Sequence, residues 1–201
     1  MGRRERNKAE KQSRLREAAK KLFREKGYEK TSIRQIAEEA DLGLGTVYSY
    51  VSSKVALLDL ISKDDLQRVQ EDAFSSLPEG ADLLEKICHV FGKIYAHHAS
   101  DRELARILVK ELGMGGDAAA LERAERFQIF TMQLAMLLRE AQDAGELGVH
   151  FAPELASLTI FGQHYFYLLL YLSGTMELEQ ITELFRTSVD LLIQGMRPGG
   201  G

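Results

Sequence analysis

The sequence has little cysteine, little proline and no tryptophan. Its 201 residues include one cysteine, so no disulfide can form within the chain and a disulfide-stabilised secreted fold is excluded. Only three prolines are present, so few positions can interrupt a helix, and the abundant Ala, Leu, Glu, Lys and Arg favour helix formation. The N-terminus is charged where a signal peptide would be apolar, and we therefore expect a cytoplasmic protein.

The sequence also lacks a recognisable set of catalytic or metal-binding residues. Cys88 and His89 are adjacent, but neighbours on a helix point about 100° apart, which is unsuitable for a nucleophile and its base. The five histidines show no zinc spacing. A glycine-rich run at residues 113–117 is not followed by the Lys-Ser/Thr of a phosphate-binding loop. We therefore expect no enzymatic activity, no metal and no cofactor.

The net charge of -4 conceals an asymmetry along the chain. Residues 1–54 contain 14 Lys and Arg against 8 Asp and Glu, whereas the remaining residues contain 12 against 22. A basic head on an acidic body is typical of a nucleic-acid-binding module joined to a non-binding one. A solvated charged tail would give the same balance, so charge alone does not decide between the two.

Apolar residues recur at helical spacing along nearly the whole chain, which predicts an all-α protein of about nine helices. Gly27 is placed to end the first helix, and Pro153 to open the eighth. Ser100 and Glu103 have the spacing of a capping box for the sixth. The predicted helices cover residues of about 8–26, 32–40, 44–50, 54–75, 81–99, 101–112, 118–143, 153–172 and 178–196.

Residues 31–51 carry the sharpest pattern, two short helices joined by a tight turn. Ser32 and Gln35 have capping-box spacing at the start of the first helix. Asp41 and Gly43 mark the turn, because both residue types tolerate unusual backbone angles. The second helix presents small and hydroxyl-bearing side chains, which suit close approach to a polyanion better than burial in a core. The pattern predicts a helix-turn-helix with a short recognition helix.

The same stretch resembles the tetracycline-repressor (TetR) family of bacterial regulators. The family pattern has three parts: Phe-x-x-x-Gly-Tyr/Phe, then Thr-Ser/Thr-x-x-x-Ile-Ala, then Gly-Thr-x-Tyr-x-Tyr-Phe-x-x-Lys-x-x-Leu-Leu. Three positions depart from the family: Asp41 stands for a usual Gly, Gly43 for a usual capping Ser and Val51 for a usual Phe. The matching residues are Phe23, Gly27, Tyr28, Thr31, Ser32, Ile36, Ala37, Gly45, Thr46, Tyr48, Tyr50, Lys54, Leu57 and Leu58.

The resemblance implies a DNA-binding head at residues 1–54, with the helix-turn-helix at about 32–51. Residues 1–12 are basic and expected to be partly disordered; Arg3, Arg4 and Arg6 form either an arm that reaches the DNA or part of a solubilising tail. Hydroxyl groups and one lysine are expected to hold phosphates, and other exposed residues to face base edges. The expected phosphate ligands are Thr31 or Ser32, Thr46, Tyr48, Tyr50 and Lys54, and the expected base-facing residues are Arg34, Leu44, Gly45 and Ser49.

Residues 55–197 form the expected ligand-binding and dimerisation body, and residues 198–201 an expected disordered tail. The resemblance implies that the body responds to a small molecule, for which we expect an apolar or aromatic one. Each predicted pocket residue is also compatible with plain core packing. The predicted pocket residues are Phe91, Tyr95, His98, Phe127, Phe130, Met136, Gln163, Phe166 and Tyr167.

Residues 155–172 are the most apolar run and approach the length of a membrane span. Gln163 and His164 interrupt its centre and no positive flank follows, so we expect a fully buried helix and no membrane partner. Two long amphipathic helices at the C-terminus, one of them apolar nearly all round, exceed what a monomer of this size needs to bury, which predicts a homodimer through a four-helix bundle. The predicted interface residues are Phe161, Gly162, His164, Leu168, Ile181, Leu184, Phe185, Ser188 and Leu192.

These patterns together predict a dimeric, ligand-responsive transcriptional regulator that binds double-stranded operator DNA. In this family the common form is a repressor that its small-molecule effector releases from the operator. One rival is a helical ligand-binding or enzymatic bundle whose head no longer reads DNA, for which the departures at Gly43 and Val51 leave room. Another is a non-specific DNA-packaging protein, with which the acidic body agrees poorly.

Overall fold

The computed structural model describes residues 2–113 and 120–199. Within these residues helices are the only regular secondary structure, with nine helices and no strand, which confirms the predicted fold class. The predicted start of the seventh helix at Ala118, most of the glycine-rich loop and the last two tail residues lie outside the described residues. The helices are α1 Arg3–Lys26, α2 Ile33–Glu39, α3 Leu44–Tyr48, α4 Lys54–Ser75, α5 Leu83–Ser100, α6 Arg102–Leu112, α7 Ala120–Asp143, α8 Pro153–Leu172 and α9 Leu178–Met196.

The chain divides into two compact units whose boundary differs from the predicted division at residue 54. Unit 1 comprises Met1–Asp65 together with Asp101–Ala120, so it contains the helix-turn-helix, the first part of α4 and all of α6. Unit 2 comprises Leu66–Ser100 and Leu121–Gly201. Helix α6 therefore belongs to the same compact unit as the helices predicted to bind DNA, although α5 separates it from them in sequence.

Unit 1 has a small, mainly aliphatic core, and ion pairs link its helices at the edges. Leu15, Leu22 and Phe23 of α1 pack with Ile36 of α2 and Val47 of α3, and all five are buried. Apolar residues of α6 pack against the same core. The links from α1 to the other helices of the unit are Arg14–Asp41, Lys21–Glu39, Arg16–Asp64, Lys20–Asp65 and Arg24–Asp101.

Unit 2 has a core dominated by aromatic rings. Phe91 of α5 contacts Phe130 of α7, His164 of α8 and Phe185 of α9, with ring centroids between 4.7 and 5.6 Å apart. Tyr95 also packs on His164, at 4.7 Å. Large rings bury much apolar surface in few residues, so this cluster supplies much of the hydrophobic stabilisation of the unit.

Several helix ends follow the predicted chemistry. Gly27 ends α1 with a positive φ of 79°, and its N–H donates to the carbonyl of Phe23. Ser32 caps α2 in a complete capping box with Gln35. Pro153 occupies the first helical position of α8, as predicted.

Other predicted helix ends are wrong, and α1, for example, begins at Arg3 rather than at about residue 8. Asp101, not Ser100, caps α6: its carboxylate accepts from the N–H of Leu104, while the Ser100 hydroxyl donates to the carbonyl of His97 within α5. α3 ends at Tyr48 rather than at Tyr50, with Ser49 as its C-cap. At the start of α6 two neighbouring polar residues, Ser100 and Asp101, were both candidates for one cap.

α8 is the one helix of the described residues that is long and apolar enough to cross a membrane by length and composition. Core helices of soluble proteins meet the same criterion. Only 39% of its most apolar stretch is buried within the protomer, so the expectation of a fully buried helix is wrong. One face of α8 packs into unit 2 and the opposite face is left uncovered.

Candidate nucleic-acid interface and ligand-binding unit

The turn of the helix-turn-helix is held by a residue outside the motif. Asp41 has a φ of 50°, the left-handed conformation that aspartate tolerates better than most residues, whereas Gly43 is extended. Arg14 of α1 donates to both the backbone carbonyl and the carboxylate of Asp41, at 2.7 and 2.8 Å. The aspartate that departs from the family pattern therefore orders the turn through its own side chain.

The outer face of α3 is small, polar and open to solvent. Gly45 and Ser49 are exposed, and Tyr48 keeps 53% of its surface accessible. Arg34 on α2 is also exposed. The Ser49 hydroxyl donates to the carbonyl of Thr46 at 2.6 Å, which leaves its lone pairs free to accept a hydrogen bond from outside. Hydroxyl and guanidinium groups on an uncrowded helical surface are suited to phosphate and base contacts.

Three expected contact residues, two in α3 and one just after it, are only partly available. Leu44 and Tyr50 are half-buried and pack against the core of unit 1, while Thr46 is half-buried without belonging to that core. The apolar parts of Leu44 and Tyr50 therefore anchor α3. The exposed contact surface of the motif is narrower than the sequence predicted.

Thr31 is wrongly predicted as a phosphate ligand. It is 2% exposed, and its hydroxyl donates to the carbonyl of Gly27 at 2.8 Å. Its role is to close the loop between α1 and α2. The neighbouring Ser32 is exposed, but its hydroxyl accepts from the N–H of Gln35 as the α2 cap.

Lys54 is held inside unit 1 rather than presented as a free cation. Its ammonium donates to the carbonyls of Tyr28 and Thr31, at 2.8 and 3.2 Å, and lies 4.1 Å from the centre of the Tyr28 ring. Burial, with the nearby carboxylates of Glu111 and Glu29, raises the pKa of Tyr28 to about 12. In this structure Lys54 joins the start of α4 to the loop before α2, which corrects its predicted role as a phosphate clamp.

The basic N-terminal residues lie on a helix. α1 begins at Arg3, so the expected disorder of residues 1–12 is not found from Arg3 onward. Arg3, Arg4 and Arg6 are exposed in its first two turns. They therefore extend the positive surface of unit 1 along a rigid element.

The nine residues of the predicted ligand pocket range from the buried interior of unit 2 to its surface. Phe91, Tyr95 and Phe130 are packed together in the aromatic core, whereas Met136 and Phe166 lie mainly on the surface. Of the remaining predicted residues, His98, Gln163 and Tyr167 are half-buried, and Phe127 is slightly more exposed. Helical periodicity identified apolar faces correctly but could not separate a filled interior from an open one.

Two buried polar groups remain in this core. His164 is 3% exposed and its Nδ1 has no partner in the described residues, and the side-chain oxygen of the half-buried Gln163 is likewise unpartnered. Burial, with the nearby His98, lowers the pKa of His164 to about 3. Burial also lowers the pKa of His98 to about 4. Both imidazoles are therefore neutral at pH 7.

Four of the nine predicted interface residues are inside the protomer. His164, Leu168, Ile181 and Phe185 are buried, because α8 and α9 pack these sides against each other and against the rest of unit 2. Gly162 and Leu184 are exposed, and Phe161, Ser188 and Leu192 are half-buried. The uncovered apolar surface, here called the α8–α9 face, consists of Leu155, Leu158, Phe166 and Leu169 on α8 with Leu184 and Leu191 on α9.

Two features of these sites were missed from the sequence. Arg14 shows no local signal, because its partner Asp41 lies 27 residues away. The α8–α9 face does have a local signal in the sequence. Its α8 residues Leu155, Leu158, Phe166 and Leu169 recur at intervals of three, eight and three residues, which places them along one stripe of a helix. In the described residues no group of three or more histidine, cysteine or acidic side chains could hold a metal ion.

Comparisons with known proteins agree with this geometry. Residues 15–61 match a family described as bacterial regulatory proteins, tetR family. The chain is 27% identical over 146 residues to the fatty acid metabolism regulator protein of Bacillus subtilis, an alignment that covers 73% of this chain and 75% of that protein.

Two solved structures share the fold over nearly their whole length. The transcriptional regulator FadR from Bacillus subtilis, in complex with stearoyl-CoA, superposes with a TM-score of 0.75 at 23% identity, covering 92% of this chain and 99% of that one. Thermus thermophilus FadR, described as a TetR family transcriptional repressor in complex with lauroyl-CoA, gives 0.72 at 23% identity, covering 93% and 95%.

Proposed function

We propose a function from one premise: this chain belongs to the tetR family of bacterial regulatory proteins. It is a ligand-responsive transcriptional repressor. It acts in the cytoplasm as a homodimer that binds operator DNA through α2 and α3, and a fatty acyl-CoA ester bound by unit 2 releases it.

The observation that carries DNA binding is the exposed face of α3, with Tyr48 and Gly45 open to solvent beside Arg34 of α2. A five-residue helix is too short to be stable alone, and its apolar side is fixed to the core of unit 1 by Val47. We assign phosphate contacts to Ser32, Thr46, Tyr48 and the exposed edge of Tyr50. Arg34, Gly45 and Ser49 face base edges.

The test separates these two roles. The operator is first isolated by in vitro selection, and the binding of Tyr48→Phe and Arg34→Ala is then profiled base by base. Tyr48→Phe should weaken binding by about 1 kcal/mol on all sequences, because a phosphate contact carries no sequence information. Arg34→Ala should cost about 1–3 kcal/mol and relax the preference at one position. Equal changes of preference in both variants would reject the division of roles.

Dimerisation is proposed from the α8–α9 face. Phe166 is 57% exposed and Leu155 65%, on helices that otherwise pack into unit 2. Uncovered apolar stripes on two neighbouring helices are what a four-helix bundle between two protomers requires. Two copies of a short recognition helix then double the DNA contacts, with half-sites about one helical turn apart.

Phe166→Asp should convert the dimer into monomers, because it places a charge in the centre of that face. Sedimentation velocity measures the change. Leu121→Asp is the matched control, since Leu121 is 71% exposed on α7 and does not belong to the α8–α9 face. A dimer that survives Phe166→Asp would place the interface elsewhere.

The proposed effector class comes from the relatives, two of which were crystallised with acyl-CoA esters. The aromatic interior of unit 2 and its unpartnered buried polar atoms are compatible with an apolar ligand that carries a few polar groups. The effector favours a state of the dimer that fits the operator less well, so DNA affinity falls by linkage. Lauroyl-CoA or stearoyl-CoA should lower operator affinity in an anisotropy titration, and free coenzyme A should not.

The rival function is a ligand-binding or enzymatic bundle that does not read DNA. Gel-shift assays on genomic fragments distinguish it, because a specific regulator retards a small set of fragments. Retardation of every fragment alike would indicate non-specific packaging. No retardation at low salt would reject the proposed function.

A further inference from the structure

A groove on unit 2 runs between α5 and α9 and has a volume of about 460 Å³. It is lined by Cys88, Gly92 and Tyr95 of α5 and by Leu178 and Phe185 of α9, among others. The volume lies in the range of about 300–1,000 Å³ typical of small-molecule sites, and the lining is mainly apolar. Of the nine pocket residues predicted from the sequence, only Tyr95 lines this groove.

Gly92 keeps the α5 side of the groove open. It lies in the middle of α5, where glycine costs about 1 kcal/mol of helix stability relative to alanine. A Cβ atom at this position would meet no heavy atom within 4 Å, so no neighbouring protein group requires the glycine. The space that a larger side chain would fill belongs to the groove.

Arg186 supplies a cation at the groove. It lines the groove together with Cys88 and, in the described part of the chain, takes part in no ion pair. Glu179 and Glu183 line the same groove on the α9 side. Unit 2 as a whole has 8 Lys and Arg against 15 Asp and Glu. Because the surroundings are acidic, an anionic group of a ligand is favoured at this groove only where it contacts Arg186.

We propose that this groove binds an amphipathic anion, with its apolar chain along Gly92, Tyr95 and Phe185 and its anionic head at Arg186. The proposal rests on the proposed function, because it states where the effector lies in unit 2. A fatty acid carboxylate and the phosphates of an acyl-CoA ester share the required chemistry. Sodium laurate and lauroyl-CoA are therefore used as separate probes.

The single cysteine of the chain reports directly on the groove. Burial raises the pKa of Cys88, so the thiol reacts slowly, and a ligand lying over it should slow the reaction further. At a probe concentration ten times its dissociation constant, only about one tenth of the protein is free of ligand. If bound ligand shields the thiol, the rate of Cys88 alkylation should therefore fall roughly tenfold. Cys88→Ser gives the background of the assay.

Two substitutions then locate the ligand. Gly92→Leu fills the groove and should weaken binding of the active probe at least about tenfold, as should Arg186→Gln through loss of a charged hydrogen bond. Gly195→Leu is the matched control for the first, since Gly195 also lies in a helix and its Cβ direction is also open. Arg197→Gln is the control for the second. Circular dichroism checks that each variant is folded.

The outcomes separate this inference from the proposed function. If lauroyl-CoA releases operator DNA equally from wild type, Gly92→Leu and Arg186→Gln, the groove is not the site and the proposed function stands. If a probe protects Cys88 and binds the two variants weakly but does not release DNA, the groove is the site and the proposed regulation is wrong. If neither probe binds wild type, the groove and the proposed effector class are both rejected. If only laurate binds and protects Cys88, the anionic head group is a carboxylate. If only lauroyl-CoA does so, the head group is that of the coenzyme A ester.

Discussion

The two units of this protein treat polar groups in opposite ways. In unit 1, Arg14, Lys54 and Thr31 each use their polar atoms to join two segments of the chain. In unit 2, the interior is a cluster of rings in which Gln163 and His164 have polar atoms without a partner among the described residues. In unit 1 directed polar links join the segments around an apolar core, whereas the interior of unit 2 is held mainly by contacts between rings.

This difference agrees with the two tasks that we propose. A surface that reads DNA must hold its donors at fixed positions, and directed bonds to the turn and to the loop before α2 do so. A unit that admits an apolar molecule needs an interior that can repack around it. Unpartnered buried polar atoms cost about 1–3 kcal/mol each, a cost that is removed if a bound molecule supplies the missing partner.

The largest expected effect concerns the ring cluster. Phe91→Ala should lower the free energy of unfolding by about 3–5 kcal/mol, because Phe91 is fully buried among Phe130, His164 and Phe185. Urea denaturation followed by circular dichroism measures it. Phe127→Ala, at a ring that is 39% exposed, should cost clearly less. Equal losses would mean that the cluster is not the stabilising core of unit 2.

The next effect is a loss of stability in acid. The pKa of His164 is about 3 in the folded protein and about 6.5 when unfolded, so the unfolded chain binds a proton that the folded one does not. The contribution of the neutral His164 to the free energy of unfolding should be fully present above pH 6.5. It should fall by roughly 3 kcal/mol as the pH drops to 4. Urea denaturation at both pH values measures the loss.

His164→Phe is the control for this prediction. It removes the titrating group and keeps a ring against Phe91 and Tyr95. Its acid sensitivity should be smaller than that of wild type, with the half-buried His98 as the remaining imidazole whose pKa is lowered. An unchanged pH dependence would show that His164 is already protonated or solvated in the folded state.

The smallest of the three effects tests the polar links of unit 1. Lys54→Met should destabilise the free protein by roughly 2 kcal/mol, because two backbone carbonyls and the Tyr28 ring lose their cation. Lys11→Met, at an exposed lysine of α1, is the control and should change stability little. If Lys54→Met lowered only the affinity for DNA, the phosphate-clamp role predicted from the sequence would be correct after all.

Local patterns predicted the elements of the fold well. The bounds of α4, α8 and α9 agree with the prediction, because capping residues and helical periodicity act within a few residues of sequence. The capping box of α2 and the family match were likewise visible from sequence. Side-chain roles were predicted less well. Lys54 and Thr31 carry the right chemistry for phosphate, but their partners are carbonyls brought near by the folding of the loop before α2.

The sequence by itself determined that the chain is helical, that residues 31–51 form a helix-turn-helix and that the positive charge lies at that end. Only the tertiary structure decided which side of the apolar α8 is buried and that the open groove of unit 2 lies between α5 and α9. Periodicity identifies a face from one helix alone. Whether that face is covered depends on neighbouring helices that the chain brings together from distant positions.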